Sequence, residues 1–573
     1  METKTKKKSF LRKVKWKRII VIAITLSTVL VGSVAVYFAW NIYKETDDFT
    51  AEKLLSGGST RIFDDSGNEI YTLGSDENGK RVNVEYEDLP QVLVDAVVAG
   101  EDSRYFEHDG FDLPRIAKAF ISNLTAGRIT GGGSTITQQV IKKSYFPDEE
   151  KTYTRKFSEI FLAMEATKEV SKEEILTMYL NKIYFGRSLS SIGVSAASKY
   201  YFNKEVSELT LPEAALLAGT LNSPSSYDPF YNLEAATSRR NVILNLMVDH
   251  GYITQEECDD AKAVPVENLL TQESANTSTA FQAYIDLVIN EVKDKTGLDP
   301  VQTPMDIHTF LNTDIQTYIE ELANSGFDFP DEFMQVGASI QSVNDGRIVG
   351  VVGGRNYADF GTNRSDIKRQ PGSSLKPITA YGAAFEYLHW STAHTVEDKV
   401  YNKGGYNPTN YDGTAGTHGQ MNIANALYNS WNTSAVWTFD SVVEEVGYET
   451  ILNLYEDLGV DVSADRDVGI GISYTLGGWQ EGTTPIEMSS IYATVANGGK
   501  TYESHTINYI DFIDSDDDSI MIDETIQAEA KQSLSAEATY MIRDVQAEQV
   551  TLGTSYSSYF NFGQIRAKTG TTK

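Results

Sequence analysis

The heptapeptide PGSSLKP, residues 371–377, decides how the C-terminal part of this chain folds. Proline is accepted only in the first turn of a helix, so Pro377 predicts that a helix begins here with Ser373 at its N-terminus. Free N–H groups and the helix dipole favour negative charge at that end. Ser373 and Lys376 can share one helix face, where a lysine kept neutral by burial could take the serine proton. The heptapeptide is a candidate for acyl transfer, although alone it also fits a capping serine beside a surface lysine.

Two further motifs follow at wide spacing. SWN occupies residues 430–432, and KTGT occupies residues 568–571 at the end of a predicted strand, where Gly570 would let a substrate backbone approach the strand edge. The order SxxK, SxN and KTG is typical of penicillin-binding proteins and class A β-lactamases. Trp431 replaces the aspartate of SDN, and the penicillin-binding family requires only SxN. Residues 336–573 therefore resemble the transpeptidase domain of that family.

The resemblance implies a fold and a set of roles. The fold is an α/β domain of the penicillin-binding, serine β-lactamase-like type with an antiparallel sheet, and the Asn-Asp-Gly turn at 344–346 independently predicts a β-hairpin. By resemblance, Ser373 is the acylated nucleophile and Lys376 is its base. Ser430 and Asn432 relay protons and hold the substrate. The residues that would bind the carboxylate of the substrate or of a penicillin are Lys568, Thr569, Gly570 and Thr571.

The C-terminal end of the sequence departs from this family. In its members another strand and a helix follow the KTG strand, whereas this sequence ends at Lys573, directly after KTGTT. A sheet without them keeps an open edge and an uncovered face. We therefore expect residues 336–573 to be a C-terminally truncated record of the domain rather than a natural short form.

A second group of chemical residues lies in the first half of the chain. Residues 101–110, EDSRYFEHDG, combine acids, an arginine, a histidine and aromatic rings. The loop GGGSTITQQ at 131–139 can bring backbone N–H groups close to a phosphate, whose charge Lys142 and Lys143 would neutralise. Glu159 follows on a predicted helix, and two carboxylates that flank a sugar bond are what glycosyl transfer requires. Each feature alone also fits a polar helix end or an ordinary Gly-Ser loop.

In combination these motifs resemble the peptidoglycan glycosyltransferase domain of class A penicillin-binding proteins of the Gram-positive type, a mainly α, lysozyme-like domain. Further matching runs are ILTMYLNKIYFG at 175–186, GVSAASKYYF at 193–202 and LTLPEAALLAG at 209–219. By resemblance, Glu101 is the general base on the acceptor 4-hydroxyl, and Glu159 assists departure of the lipid diphosphate. The residues at sugar-diphosphate positions are Ser134, Thr137, Gln139, Lys142 and Arg155. Only the resemblance implies a divalent cation, Mg²⁺ or Mn²⁺, at that site.

Local signals predict that residues 89–250 are mostly helical. Apolar residues recur there at spacings of three and four, as in helices that bury one face. Two capping boxes mark predicted helix starts, one formed by Ser171 with Glu174 and the other by Thr210 with Glu213.

The N-terminal segment predicts a membrane anchor. Residues 19–40, IIVIAITLSTVLVGSVAVYFAW, contain no charge over 22 residues and would span roughly 33 Å as a helix. Residues 1–18 carry nine Lys or Arg and one acid, which predicts a cytoplasmic N-terminus and extracellular catalytic domains in a single-pass cell-membrane protein. A cleaved signal peptide is disfavoured because the run is too long and lacks a small-residue cleavage site. The expected organisation is a basic tail at 1–18, a transmembrane helix at 19–40, a spacer at 41–75, a glycosyltransferase domain at 76–250, a linker region at 251–335 and the transpeptidase domain at 336–573.

Composition excludes several other classes of protein. The 573-residue chain has a net charge of −31 although its N-terminus is basic, so no nucleic-acid partner is expected. Its single cysteine, Cys258, excludes an intramolecular disulfide and a cysteine-built zinc site.

Together these features predict a bifunctional, membrane-anchored peptidoglycan synthase. It would polymerise lipid II into glycan strands and cross-link stem peptides through an acyl-Ser373 intermediate. The expected partners are lipid II, nascent glycan strands, stem peptides, β-lactams and the membrane, and cell-division or elongation proteins stay open. One alternative is a catalytically inactive scaffold that binds the cell wall, which predicts eroded catalytic residues. A second is a penicillin-hydrolysing sensor, which would carry no glycosyltransferase half.

Overall fold

The chain, seen in a computed structural model, divides into two compact units. The first comprises Met1–Ser59, Arg81–Thr271 and Gly297–Pro304, and the second comprises Thr60–Lys80, Gln272–Thr296 and Met305–Lys573. The residues that the structure describes are 20, 22, 37, 40–44, 46, 48–51, 54, 60–73, 83–116, 133–146, 152–187, 191–271, 280–301, 303–357, 361–512, 530–554 and 565–571.

The predicted transmembrane segment lies almost entirely outside the described residues. Of positions 19–40, only Ile20, Ile22, Tyr37 and Trp40 are described. Among the helices that the structure does describe, none combines the length and the apolar character that crossing a membrane requires. The membrane anchor therefore stays a prediction from the sequence.

The first unit is built from helices. These are α1 (Gln91–Glu101), α2 (Ile136–Tyr145), α3 (Tyr153–Glu169), α4 (Lys172–Lys182), α5 (Val194–Phe202), α6 (Leu211–Thr220), α7 (Pro224–Tyr227), α8 (Leu233–Asp249) and α9 (Gln255–Ala263). Short 3-10 turns lie at Tyr86–Asp88, Tyr105–Glu107, Val206–Glu208 and Val266–Asn268. The capping boxes of Ser171 with Glu174 and of Thr210 with Glu213 precede α4 and α6, so both predicted helix starts are confirmed.

The core of the first unit forms around α6. Every residue from 213 to 220 is buried, as expected for a helix that packs against neighbours on all sides. Helices α1 and α8 both pack against α6, and α1 contributes the fully buried Leu93 and Val97. This packing holds the C-terminal end of α1, where Glu101 lies.

A four-stranded sheet in the second unit joins three distant parts of the sequence. Its strands, in spatial order, are β2 (Glu69–Thr72), β1 (Arg61–Phe63), β3 (Met305–Thr309) and β9 (Ile507–Phe512). β1 is antiparallel to β2 and parallel to β3, and β3 is antiparallel to β9. Three of these strands fall in the predicted spacer and linker. Each is too short to show a convincing pattern by itself, so pairing across the sheet is what stabilises it.

The rest of the second unit combines short strand pairs with helices. The remaining strands are β4 (Ala338–Gln341), β5 (Ile348–Val352), β6 (Thr395–Asp398), β7 (Gly419–Asn422), β8 (Lys500–Thr501) and β10 (Lys531–Gln532), which pair antiparallel as β4–β5, β6–β7 and β8–β10. The helices are α10 (Gln282–Thr296), α11 (Thr313–Glu321), α12 (Ala383–Tyr387), α13 (Ile423–Tyr428), α14 (Asn432–Asp457), α15 (Ser463–Val468), α16 (Pro485–Ala496) and α17 (Ala536–Leu552). Single 3-10 or π turns lie at Leu322–Gly326, Arg364–Asp366, Gly372–Leu375, Pro377–Gly382 and Ile472–Leu476. The β4–β5 pair is the hairpin predicted from the Asn-Asp-Gly turn, in which Gly346 has a φ of 80°.

The KTG motif does not lie in a strand. The sequence predicted a strand through Lys568, but the described residues 565–571 have no regular secondary structure, so that prediction is wrong. A strand needs partners for its backbone N–H and C=O groups, and none of the described strands pairs with this segment.

The close packing of Gly110 on α3 generates a stability prediction. Gly110 has a φ of 87°, and a Cβ added there would lie 2.2 Å from the carbonyl oxygen of Ala163. We expect Gly110→Ala to lower the free energy of unfolding of the first unit by about 2–4 kcal/mol, from backbone strain plus overpacking. Calorimetric melts of the full chain measure this loss.

Gly251→Ala is the matched control for this change. Gly251 also has a positive φ, of 78°, but nothing lies within 4 Å of an added Cβ. Only the backbone strain of about 1–2 kcal/mol is then expected. Equal losses in the two variants would contradict the packing argument.

Candidate active sites

The carboxylate of Glu101 is held by an amide. Gln139, on α2, donates from Nε2 to Glu101 Oε2 at 3.0 Å, and Tyr179 on α4 donates to the other end of the same amide at 3.3 Å. Burial raises the pKa of Tyr179 well above its ordinary value, and the nearby charge of Glu101 adds to the shift. The tyrosine therefore stays a donor, and it orients the amide toward the carboxylate.

Asp102 ties the end of α1 to the start of α2. Its buried carboxylate accepts a hydrogen bond from the backbone N–H of Ile136 at 3.1 Å, and its Oδ2 lies 3.0 Å from Nε2 of His108. Arg115 Nη1 lies 3.5 Å from the other carboxylate oxygen. Sequence reasoning did not single out Asp102, although the Glu-Asp pair was the available signal. Asp102 brings the loop before α2 next to Glu101.

Glu159 is a buried carboxylate between two cations. Only 1% of its side chain is exposed, and its oxygens lie 3.1 Å from Nε of Arg155 and 2.5 Å from Nζ of Lys156. Lys156 also donates to Oγ of Ser134 at 2.7 Å. A buried charge of this kind requires such partners. The sequence predicted that the basic pair Arg155 and Lys156 would neutralise phosphate charge, but it did not predict the contacts of Lys156 with Glu159 and Ser134.

Helix α2 and the loop before it therefore contact the surroundings of both glutamates. Gln139 contacts Glu101 directly, while Ser134 is joined to Glu159 through Lys156. Two of the other predicted binding residues also lie on α2, where Thr137 is buried in the first turn and Lys142 is half-buried near the end. The third, Arg155, is buried on α3. Helix α2 and its preceding loop thus contact the surroundings of both carboxylates, while the cations beside Glu159 come from α3.

The predicted nucleophile lies in the first turn of a helical segment. A 3-10 turn at Gly372–Leu375 continues through the π turn Pro377–Gly382 into α12, so the predicted helix start is confirmed. The hydroxyl of Ser374 donates to the carbonyl of Pro371 at 2.6 Å. Ser373 is half-buried, and its hydroxyl makes no hydrogen bond to any residue that the structure describes. Of the two serines, Ser373 is the one whose hydroxyl is available for chemistry.

Lys376 is a fully buried lysine with neutral acceptors. Its Nζ donates to the carbonyl of Ser430 at 2.7 Å and to Oδ1 of Asn432 at 2.5 Å, and it lies 3.4 Å from Oγ of Ser430. Burial, with a smaller contribution from the positive charge of Lys568, lowers the pKa of Lys376 well below its ordinary value. The structure thus joins three of the four residues that the SxxK and SxN motifs supply, Lys376, Ser430 and Asn432, and it favours the neutral amine that a base requires.

Ser430 reaches this position through an unusual backbone. It has a φ of 58° between α13 and α14, a left-handed conformation that costs energy for a residue with a Cβ. Its N–H donates to the carbonyl of Leu427 at 2.9 Å, and the N–H of Trp431 donates to the carbonyl of Ala426 at 3.1 Å. These two hydrogen bonds end α13. The turn directs the Ser430 carbonyl at Lys376.

The KTG residues pack beside the nucleophile turn. A Cβ at Gly570 would lie 2.7 Å from the carbonyl oxygen of Pro371, so glycine is required by protein packing at this position. Burial lowers the pKa of Lys568 to about 8. Thr569 donates from Oγ1 to the hydroxyl of Thr554 at 3.1 Å, and Thr571 is exposed.

A segment distant in the sequence, around Gly477 and Trp479, packs against the turn that carries Ser373. The side chain of Gln370 donates to the carbonyl of Trp479 at 2.5 Å and accepts from the Trp479 N–H at 2.9 Å. Gly477 approaches so closely that a Cβ would lie 2.2 Å from the nitrogen of Gly372. Nothing in the local sequence pattern around Gly477 and Trp479 shows which turn this segment contacts.

Comparisons with known proteins identify both halves of the chain. A family model described as Transglycosylase matches residues 66–248, and one described as Penicillin binding protein transpeptidase domain matches residues 336–573. The chain is 32% identical over 578 residues to Penicillin-binding protein 1A of Streptococcus pneumoniae (strain ATCC BAA-255 / R6), covering 99% of this chain and 78% of that relative. It is 32% identical over 559 residues to Penicillin-binding protein 1F of Bacillus subtilis (strain 168), covering 97% and 74%. The crystal structure of Penicillin-Binding Protein 1A from Haemophilus influenzae aligns with a TM-score of 0.42 at 21% identity, over 87% of this chain and 82% of that one.

The two lysines of the second site predict the pH dependence of penicillin acylation. The neutral form of Lys376 is present above its lowered pKa, so acylation should increase as the pH rises through that value. Lys568 loses its charge as the pH rises through about 8, so capture of the penicillin carboxylate should weaken there. The second-order acylation rate constant should therefore pass through a maximum when it is measured against pH with a fluorescent penicillin.

Lys568→Arg tests the origin of the alkaline decrease. Arginine stays protonated throughout the accessible pH range, so in this variant the acylation rate constant should no longer decrease above pH ~8. The increase at lower pH, which is the acidic limb of the profile, should be unchanged. An unchanged alkaline limb would show that another group is responsible for it.

Proposed function

Because this chain belongs to the class A penicillin-binding proteins, which carry a transglycosylase and a transpeptidase domain on one polypeptide, we propose that its two reactions begin at Glu101 and Ser373. The chain is a bifunctional peptidoglycan synthase. The observation that best supports the transpeptidase assignment is the buried Lys376 in contact with Ser430 and Asn432. An inactive scaffold is not favoured, because the residues that both chemistries need are present.

The first reaction is polymerisation of lipid II. Glu101 would accept the proton of the acceptor 4-hydroxyl as its oxygen bonds to the anomeric carbon of the donor, and the bond from that carbon to the lipid diphosphate would break. The charge of the departing diphosphate would be met by the cations around α2. Because Glu159 is held by Arg155 and Lys156, its contribution would be to fix these two cations near the leaving group.

A divalent cation at this site is a further proposal. Among the residues that the structure describes, no group of three or more His, Cys, Asp or Glu could hold a metal ion. We therefore place the proposed Mg²⁺ or Mn²⁺ on the diphosphate, whose oxygens would supply most of its ligands.

The second reaction is cross-linking of stem peptides. Lys376 would take the proton of Ser373 as the serine Oγ bonds to the carbonyl carbon of the peptide bond in the terminal D-Ala-D-Ala. Lys568, Thr569 and Thr571 would bind the terminal carboxylate of that peptide. The proton would pass by way of Ser430 to the leaving D-alanine nitrogen, leaving an ester on Ser373. An acceptor amine would then attack that ester, form the new peptide bond and return the serine. A β-lactam would acylate the same oxygen.

The location of these reactions is also a proposal. The basic residues 1–18 before the apolar residues 19–40 support a single-pass cell-membrane protein with its catalytic units outside the cell. That arrangement would bring the glycosyltransferase unit to the membrane in which lipid II lies.

Glu101→Gln tests the first reaction. The amide keeps the size of the side chain but cannot accept a proton, so polymerisation of lipid II should decrease at least ~10²-fold. Acylation by penicillin should stay unchanged. Glu165→Gln is the control, because Glu165 is partly exposed and contacts only Lys168 among the described residues. Near-normal polymerisation by Glu101→Gln would refute the role of this residue.

Ser373→Ala and Ser374→Ala test the second reaction. Covalent labelling by a fluorescent penicillin should be lost in Ser373→Ala. It should be retained in Ser374→Ala, because the Ser374 hydroxyl is occupied by the carbonyl of Pro371. Labelling that survives Ser373→Ala would mean that the nucleophile is another residue, and lipid II polymerisation should be the same in both variants.

A further inference from the structure

Helix α14 begins without a cap of its own. Trp431 is its N-cap residue and has no side-chain oxygen, although Ser, Thr, Asp and Asn are the residues that normally satisfy the first N–H groups. The Oδ1 of Asn410 takes this place, because it accepts from the N–H of Asn432 at 2.7 Å and from that of Thr433 at 3.2 Å. A residue 21 positions upstream of Trp431 therefore caps the helix that carries Asn432.

Asp398 holds Asn410 in that orientation. Asp398 ends strand β6 and is only 1% exposed. Its carboxylate accepts both from Nδ2 of Asn410, at 3.1 and 3.2 Å, and from the N–H of His418 at 3.0 Å. The hydroxyl of Thr433 donates to the same carboxylate. Because Asn410 must donate to Asp398 from its nitrogen, its oxygen is left facing α14.

The same loop fixes the side chain of Asn432. Its Nδ2 donates to the carbonyl of Thr409 at 2.6 Å, and its Oδ1 accepts from Lys376 at 2.5 Å. Asn410 binds the backbone N–H of Asn432, and Thr409 binds its side-chain amide nitrogen. These two contacts fix the position of the Asn432 Oδ1 atom. The position of the acceptor for Lys376 thus depends on the loop that Asp398 anchors.

Aromatic stacking fastens this loop to Trp431. The ring of His418 stacks on the indole at 3.8 Å and 18°, and the ring of Tyr411 lies nearly parallel to it at 5.1 Å and 6°. Trp431 has no oxygen with which to cap α14, but its ring binds the loop that carries Asn410, which supplies the capping oxygen instead.

We propose that Asp398 and Asn410 are positioning residues of the acyl-transfer site, and that together they replace the acid missing from the SxN motif. In an SDN motif the aspartate would itself stand at the N-cap of this helix, where a carboxylate both caps and orients. Here the carboxylate comes from β6 and the capping oxygen from the loop. This inference rests on the proposed roles of Ser373, Lys376 and Asn432.

Exchange of the two side chains tests the pair. In Asp398→Asn, the new amide would turn a donor toward the donor of Asn410, and in Asn410→Asp two buried carboxylates would face each other. The double variant Asp398→Asn/Asn410→Asp keeps one charge, and the amide of residue 398 can donate to the carboxylate of residue 410. That carboxylate can still accept from the N–H groups of α14, so the contact between residues 398 and 410 is restored with its polarity exchanged, and the amide oxygen of residue 398 remains to accept from the N–H of His418.

The measurement is the second-order rate constant of acylation by a fluorescent penicillin across pH, on the full chain. Each single variant should acylate at least ~10-fold more slowly, and the double variant should recover to within ~3-fold of the wild type. The acidic limb should also move to lower pH in Asn410→Ala, which changes no charge, because a displaced Asn432 oxygen no longer stabilises the ammonium form of Lys376. Lys568, the charged group that acts on Lys376, is unchanged in every variant.

Asp440→Asn is the matched control. Asp440 is another buried aspartate, lies on the same helix α14 and accepts from Tyr401 and Lys403, with no bond to the site residues among those described. Its variant should change neither the rate constant nor the position of the acidic limb, even if it lowers the melting temperature.

Trp431→Asp provides a second test that does not require Asp398→Asn to fold. An aspartate at the N-cap supplies the oxygen locally, so Asn410→Ala should slow acylation less in the Trp431→Asp background than in the wild type. An equal effect in the two backgrounds would overturn the capping role.

The remaining outcomes are also decisive. If the variants show a smaller fraction of labelled protein but an unchanged acidic limb, the pair only stabilises the fold. If the double variant acylates no faster than the single variants, the exchange of side chains is refuted. A wild-type chain that penicillin does not label at Ser373 would overturn the proposed transpeptidase function and this inference with it. A labelled wild type with unaffected single variants would overturn the inference alone.

Discussion

Removing an ionisable group from water is costly unless a partner compensates, and both sites depend on how each buried group is compensated. Glu159 is buried beside the cationic nitrogens of Arg155 and Lys156. Among the described residues, Lys376 donates to oxygens of Ser430 and Asn432 and has no carboxylate partner, so burial, with a smaller contribution from the charge of Lys568, lowers its pKa. The same physical constraint thus produces an ion-paired carboxylate in one unit and a base in the other.

Helix termini position most of the reacting groups. Glu101 is the last residue of α1, the loop before α2 carries Ser134, and Ser373 lies in the first turn of its helical segment. A helix end offers backbone groups without intrahelical partners, so side chains and neighbouring loops must satisfy them. Asp102 does this for α2 and Asn410 for α14, and in both cases the contact that completes the helix also places a residue of the site.

Much of this support comes from residues far away in the sequence. Gln370 and Trp479 exchange two hydrogen bonds under the nucleophile turn, and Gly477 packs against Gly372. Gly570 shows how such packing changes an interpretation. Its lack of a Cβ suggested access for a substrate, whereas in the structure the space is filled by the carbonyl of Pro371. Both explanations require glycine, but only the contact says which atom would be displaced.

The sequence by itself determined the features whose physical cause is local. The capping boxes at Ser171 and Thr210, the Asn-Asp-Gly hairpin and the helix start at the heptapeptide 371–377 each depend on residues within a few positions, and all were confirmed. The motif residues were likewise readable, because their types and order carry the family resemblance.

Tertiary structure alone decided which distant residues meet. β3 was invisible in the sequence because its partners, β1 and β9, lie far away along the chain, and β1 and β2 are each too short to show a pattern. The strand predicted through Lys568 was wrong because no described strand pairs with it. The partners of Lys376 and the support of Asn432 by Asn410 and Asp398 followed the same rule. The position of a buried polar group depends on its hydrogen-bond partner, and spacing along the sequence does not show which residue that partner is.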